Sequence, residues 1–199
     1  MGKIEKAVEE LNAFLDTVYT DIDGWLELAD IHSSCYQCAP NSSAKSSKLM
    51  SFCRYTHALE ALSHALLLAP QNPFTFLQFA ETAYTAGDIP LALKNFLIVI
   101  DMNEEEDADS IPQGIFVRAW WGVKLVSSRY SRLLLRSFLL FQCTRTLVSS
   151  TNITSASGTP VSKNIKLIDE LATERVLTAY SGEHGVQARS FVSSWMSER

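Results

Sequence analysis

The 199-residue sequence lacks an apolar run long enough to cross a membrane. Its most apolar stretch, 133–141, contains Arg136 and is flanked by Arg132 and Arg145, whereas a spanning helix needs about 20 mostly apolar residues. The first ten residues carry three glutamates and no apolar segment of signal-peptide length. The sequence therefore predicts no transmembrane segment and no secretory signal, and its four cysteines are expected to be reduced.

Positive charge is also scarce. The 17 Lys and Arg residues stand against 22 Asp and Glu, which gives a formal net charge of −5 and argues against nucleic-acid binding, because phosphates are neutralised by clustered cations. The sequence contains no Gly-x-Ser-x-Gly elbow, no Gly-x-x-x-x-Gly-Lys loop and no Gly-x-Gly-x-x-Gly turn. We therefore expect neither an enzyme nor a bound cofactor.

Apolar residues recur at helical spacing along most of the chain. The pattern predicts an amphipathic helix over 3–18, a second from Asp23 to His32, and further helices over 52–70 and 73–87. Gly87 and Asp88 predict a tight turn before the next helix. A final helix, with Ile168, Leu171, Ala172 and Val176 on one face, is expected to cap the array.

Two of these segments repeat at an offset of 34 residues. Small and large side chains recur in phase, and a unit of two helices with this period is typical of tetratricopeptide repeats. The signature positions are Trp25, Leu28, Ala29, Ala58, Leu62, Ala65 and Pro70 in the first unit, and Phe76, Phe79, Ala80, Gly87, Ala92, Phe96 and Val99 in the second. The predicted fold is an all-α tetratricopeptide-repeat solenoid of stacked antiparallel helix pairs; the alternative is an unrelated helical bundle.

The predicted repeat array covers 1–147. Its units lie at about 21–70, 71–103 and 113–147, with a serine-rich loop insertion at 33–51 and an acidic connector at 104–112. The third unit is degenerate, with Trp121 and Gly122 in place of a first-helix Leu-Gly pair. A Ser/Thr-rich loop follows at 148–163, and 164–199 is predicted to form a C-terminal capping helix and tail.

One group of residues has the spacing of a metal site. His32, Cys35, Cys38, Cys53 and His57 follow the patterns H-x2-C-x2-C and C-x3-H, and zinc could use four of these ligands. The structural interpretation is favoured, because both histidines belong to helices whose apolar stripes already account for the region. We therefore expect no metal site.

Residues 114–147 contain six basic residues and no acidic one. In a helix, Arg129, Arg132 and Arg136 would share one face, and a strip of one sign favours a partner-binding face over a solvated face, which ordinarily mixes both signs. Anionic lipid headgroups remain an alternative ligand. One of Trp120 and Trp121 is expected in the core and the other at an interface. The candidate partner-binding residues are Arg118, Trp120, Arg129, Arg132 and Arg136.

The segments 23–30, 58–62, 70–73, 80–88 and 118–122 resemble the family of subunit 2 of the endoplasmic-reticulum membrane protein complex, over roughly residues 5–127. The resemblance implies a non-catalytic scaffold at the cytoplasmic face of that membrane. It also implies binding to the other subunits and a role in inserting tail-anchored and other transmembrane proteins. The family's N-terminal repeats would be missing from this chain. The alternative is a soluble tetratricopeptide adaptor or co-chaperone that binds a peptide in its groove.

Overall fold

The computed structural model describes residues 2–34, 44–103, 111–143, 164–181 and 185–197, with the backbone alone at 2, 44–54, 134–143 and 186. All secondary-structure elements within these ranges are helices. The chain divides into two compact units, Met1–Gly87 and Asp88–Arg199. The predicted all-α fold class is confirmed over these ranges.

The first unit contains four helices: α1 (Gly2–Thr17), α2 (Ile22–Ser34), α3 (Ala44–Leu68) and α4 (Pro73–Ala86). Each helix packs against the next one along the chain. Leu15, Leu28 and Leu62 fill the contact, and the small side chains of Ala29 and Ala61 let the helices approach closely. Large and small apolar residues together therefore build this core.

The ends of α4 follow from local sequence. Asn72 caps its N-terminus by accepting a hydrogen bond from the Phe74 amide, and Pro73 occupies the first turn, where no amide donor is needed. At the other end, Gly87 adopts φ 94°, and its amide donates to carbonyls of the last helical turn. The helix predicted over 73–87 is thus observed at Pro73–Ala86.

Replacement of Gly87 by alanine tests this helix end. The left-handed backbone costs a side chain about 1 kcal/mol or more, while the space around a new Cβ atom is open. We expect Gly87→Ala to lower the free energy of unfolding by about 1 kcal/mol, measured by urea denaturation. Asparagine tolerates this conformation better, so Gly87→Asn should lose less; an equal or greater loss would show that the backbone angle is not the cause.

The second unit contains α5 (Ile89–Asp101), α6 (Ile115–Cys143), α7 (Ile165–Ala179) and α8 (Val186–Ser197). Asp88 caps α5 by accepting from the Leu91 amide. Helix α6 packs against both α5 and α7, and α7 against α8. The buried apolar side chains are Ile89, Ala92, Leu93, Phe96, Val99, Ala119, Trp120, Val123, Val126, Tyr130, Ile165, Ala172 and Val176.

Helices α5 and α6 approach closely at Gly122. A Cβ atom placed on this glycine would lie 2.3 Å from Cε1 of Phe96, which is a buried ring. Phe96, a signature position of the second predicted repeat unit, therefore packs directly against the backbone of α6. Only glycine fits opposite this ring without a displacement.

The structure differs from the sequence prediction in three element boundaries. The loop predicted at 33–51 is shorter, because α2 continues to Ser34 and α3 begins at Ala44, where Ala, Lys, Leu and Met favour a helix. The described part of the predicted third unit is not a helix pair: α6 is one helix of 29 residues, and its next neighbour is α7. Part of the predicted tail is helical, as α8. Residues 104–110 of the acidic connector predicted at 104–112, and the loop predicted at 148–163, lie outside the described residues.

The signature positions occupy different depths. Most of the small and aliphatic ones are buried, whereas the aromatic residues Trp25, Phe76 and Phe79 are half-buried, and Pro70 and Gly87 are exposed. The repeat units themselves stay a prediction. The boundary between the two compact units, after Gly87, falls inside the second predicted repeat unit at 71–103. No helix in the described part of the chain is long and apolar enough to cross a membrane.

Candidate functional site

Helix α6 positions the predicted basic residues along one line. Arg129 and Arg132 follow Arg118 by 11 and 14 residues. The three arginines therefore lie within about 60° of arc on the helix surface and extend about 21 Å along its axis. Arg118 and Arg132 are exposed, and Arg129 is half-buried. Arg136 continues the same line in the backbone of α6, but its side chain lies outside the described residues. We call Arg118, Arg129 and Arg132 the arginine strip.

Lys124 does not belong to the arginine strip. It is only 8% exposed, and its ammonium group donates to Asp169 Oδ2 at 2.8 Å and to Thr173 Oγ1 at 2.7 Å, both on α7. Its position in the helix is about 120° from Arg118, which places it on another side of α6. One of the six basic residues of 114–147 is therefore used to join α6 to α7.

Asp169 is held through both of its carboxylate oxygens. Oδ2 accepts from Lys124, and Oδ1 accepts from the buried hydroxyl of Ser127, one turn further along α6. Thr173 closes the cluster by donating to the Asp169 carbonyl. These directional contacts fix the position of α7 along α6, because a shift by one turn would leave the buried charge of Lys124 without its counter-ion.

The two adjacent tryptophans have different surroundings. Trp120 is 6% exposed and belongs to the core of the second unit, so its side chain does not present a surface to a partner. Trp121 is half-buried; its Nε1 donates to the Tyr180 hydroxyl at 3.2 Å, and its ring meets Trp195 edge to face at a centroid distance of 5.5 Å. Trp120 is therefore removed from the candidate partner-binding residues, and the candidate surface of α6 is the arginine strip.

Burial also affects a tyrosine on α6. Tyr130 lies in the core beside the half-buried Arg129, and desolvation raises its pKa above the usual value near 10. The phenol therefore stays neutral throughout the physiological pH range. It adds no negative charge next to the arginine strip.

The first unit contains a pocket of about 340 Å³. The indole of Trp25 stacks on the His64 ring with centroids 4.6 Å apart, and its Nε1 donates to the Tyr19 carbonyl. Asn12 on α1 and Glu60 on α3 add polar atoms to the wall. The pocket thus combines an aromatic face with several groups that can bind a polar ligand.

Two of the five residues with metal-ligand spacing line this pocket. His32 on α2 and His57 on α3 have ring centroids 5.5 Å apart. Cys35 and Cys38 lie outside the described residues, as does the side chain of Cys53. Among the described side chains, no group of three or more His, Cys, Asp or Glu is placed to hold a metal ion.

Comparison with known proteins gives a partial relationship. No protein-family model matches the chain. The ER membrane protein complex subunit 2-A of Xenopus laevis is 28% identical to it over 105 residues, which are 51% of this chain and 30% of the relative. The chain is similar to subunit 2 of the ER membrane protein complex. Subunit 2 of Xenopus tropicalis matches with the same identity and coverage, so the chain spans about 30% of the length of these subunit 2 relatives.

A comparison with solved structures returns the crystal structure of MamA protein. It covers 75% of this chain and 90% of the MamA chain, with 11% sequence identity and a TM-score of 0.31. This score is too low for the likeness to bear on the fold or the function. The similarity to subunit 2 of the ER membrane protein complex therefore comes from sequence.

Proposed function

We propose that this protein is a non-catalytic scaffold subunit of the ER membrane protein complex. In this role it binds other subunits at the cytoplasmic face of the membrane and supports the insertion of tail-anchored and other transmembrane proteins. The observation that carries the proposal is the 28% identity to subunit 2 relatives over 105 residues. The chain is held at the membrane through its partners, and no catalytic residue and no cofactor are assigned.

The arginine strip is the docking surface that we assign to a partner. Its charges have one sign along about 21 Å of α6, and no acidic residue lies between 111 and 143. Arginine forms paired hydrogen bonds with carboxylates and loses less hydration than lysine on burial. The strip therefore suits an acidic, extended or helical segment of a neighbouring subunit.

Affinity purification from detergent-solubilised membranes tests both parts of the proposal. The wild-type chain should recover the membrane-spanning subunits of the complex, identified by mass spectrometry. The double change Arg118→Glu and Arg132→Glu reverses charge at the two exposed ends of the strip. We expect it to lower that recovery at least tenfold, because like charges would then face each other across the interface.

The matched control is the double change Lys94→Glu and Lys166→Glu, which alters the net charge equally at exposed residues outside α6. This control should recover the complex as the wild type does. Equal losses in both double variants would overturn the arginine strip as the docking surface. Recovery of soluble chaperones without membrane subunits would overturn the scaffold role and leave the soluble adaptor.

A further inference from the structure

His32 and His57 come from two helices and meet at one wall of the pocket in the first unit. They are 25 residues apart in sequence, and their imidazole centroids lie 5.5 Å apart with the ring planes tilted by 40°. Two imidazoles bound to one zinc ion through nitrogens at about 2.0–2.1 Å have centroids roughly 5 Å apart. The observed separation is therefore close to that of two rings that share a metal ion.

Glu60 determines which nitrogen of His57 is available. Nδ1 of His57 lies 3.1 Å from Oε2 of Glu60, and an ionised carboxylate can only accept, so Nδ1 carries the hydrogen. In the neutral ring, Nε2 then keeps its lone pair and can act as a ligand. A carboxylate that accepts from the other nitrogen is the usual second contact of a metal-binding histidine, where it orients the ring and raises its basicity.

The third histidine of the pocket has a different neighbour. His64 stacks on Trp25 with the two rings inclined by 20°, so one of its faces is covered by the indole. It lines the same pocket as His57, from two turns further along α3. It is therefore a suitable control for effects that come from histidine charge or from the pocket in general.

From this geometry we propose that His32 and His57 form a binding site for a divalent transition-metal ion of the zinc type, with Glu60 as the positioning residue of His57. Imidazole nitrogen suits Zn²⁺, Cu²⁺ and Ni²⁺ and disfavours Mg²⁺ and Ca²⁺. Two protein ligands leave coordination positions that face the pocket and can hold water or a ligand. The site is accordingly reversible rather than a structural zinc site with four protein ligands.

Calorimetric titration of the full chain with ZnCl₂ under reducing conditions tests the site. His32→Gln and His57→Gln should each weaken zinc binding at least tenfold, and Glu60→Gln should weaken it about tenfold. His64→Gln should leave the affinity within about twofold. MgCl₂ should give no binding in any of these proteins.

The four cysteines of the chain make the histidine dependence the decisive result. Zinc binding that persists unchanged in both His32→Gln and His57→Gln would overturn the proposal, as would equal losses in His64→Gln. Helix content from circular dichroism shows whether each variant is folded. If one histidine variant were unfolded, the tenfold effect of Glu60→Gln still decides, because the Glu60 side chain is 70% exposed and glutamine has the same shape. An unchanged affinity in Glu60→Gln would then contradict the site.

Discussion

Replacement of Asp169 by alanine should lower the free energy of unfolding by about 2–3 kcal/mol, which is less than the cost of breaking a fully buried ion pair because the Asp169 side chain is 30% exposed. Lys124 would keep only the Thr173 hydroxyl as a contact for its ammonium group, in a position where the residue is 8% exposed. Ser127 would lose its acceptor on α7 as well. Urea denaturation followed by circular dichroism measures the loss.

Two further variants separate this effect from a general loss of charge. The exposed pair Lys6–Glu10, with 3.7 Å between nitrogen and oxygen, should lose no more than about 0.5 kcal/mol in Glu10→Ala. The double change Lys124→Met and Asp169→Leu removes both charges, so we expect it to regain most of the stability that Asp169→Ala loses. A loss in Asp169→Ala as small as that in Glu10→Ala would show that the contact does not hold α6 and α7 together.

Alanine at position 122 should also destabilise the second unit strongly. In an open helix, a change from Gly to Ala stabilises by about 1 kcal/mol, yet here the new methyl group would lie 2.3–2.6 Å from three atoms of the Phe96 ring. The ring is buried and cannot rotate away freely. We expect a net loss of about 3 kcal/mol, equivalent to a fall in Tm of about 6–12 °C for a chain of this size.

A second change at the contact identifies the cause. As a single change, Phe96→Leu should lower the free energy of unfolding. In the presence of Gly122→Ala it removes the overlap, so the loss in the double variant should be smaller than the sum of the two single losses by about 0.5–3 kcal/mol. Gly24→Ala is the matched control, because its Cβ atom would meet only the side-chain ends of Asp21 and Leu15, both at 2.9 Å. A Gly24→Ala loss equal to that of Gly122→Ala would contradict the role of the Phe96 ring.

Short-range signals explain which parts of the fold were predictable. The bounds of α4 follow from Asn72, Pro73 and Gly87, which act within one turn of the helix ends. The core positions of α2 to α5 follow from spacing alone. The length of α6 does not follow from such signals, because the sequence from 113 to 147 contains no residue that marks a helix end. The pairing of α6 with α7 depends on contacts with residues more than 40 positions later.

The same distinction applies to the candidate sites. Helical geometry predicted the shared face of the arginines, and it could also have separated Lys124 from them by its angle around α6. The burial of Trp120 depends on how the helices of the second compact unit pack, and the neighbouring sequence does not indicate it. The meeting of His32 and His57 depends on the packing of α2 against α3, so their spacing suggested ligands without showing that the two rings approach each other.

The link between Lys124 and Asp169 joins residues 45 positions apart, and this distance has a consequence during protein synthesis. At a translation rate of about 5–20 residues per second, Asp169 leaves the ribosome roughly 2–9 s after Lys124. Until α7 has left the ribosome, α6 lacks the helix that covers one of its sides. Its apolar surface and the charge of Lys124 are exposed to water during this interval, and both become buried when α7 packs against α6.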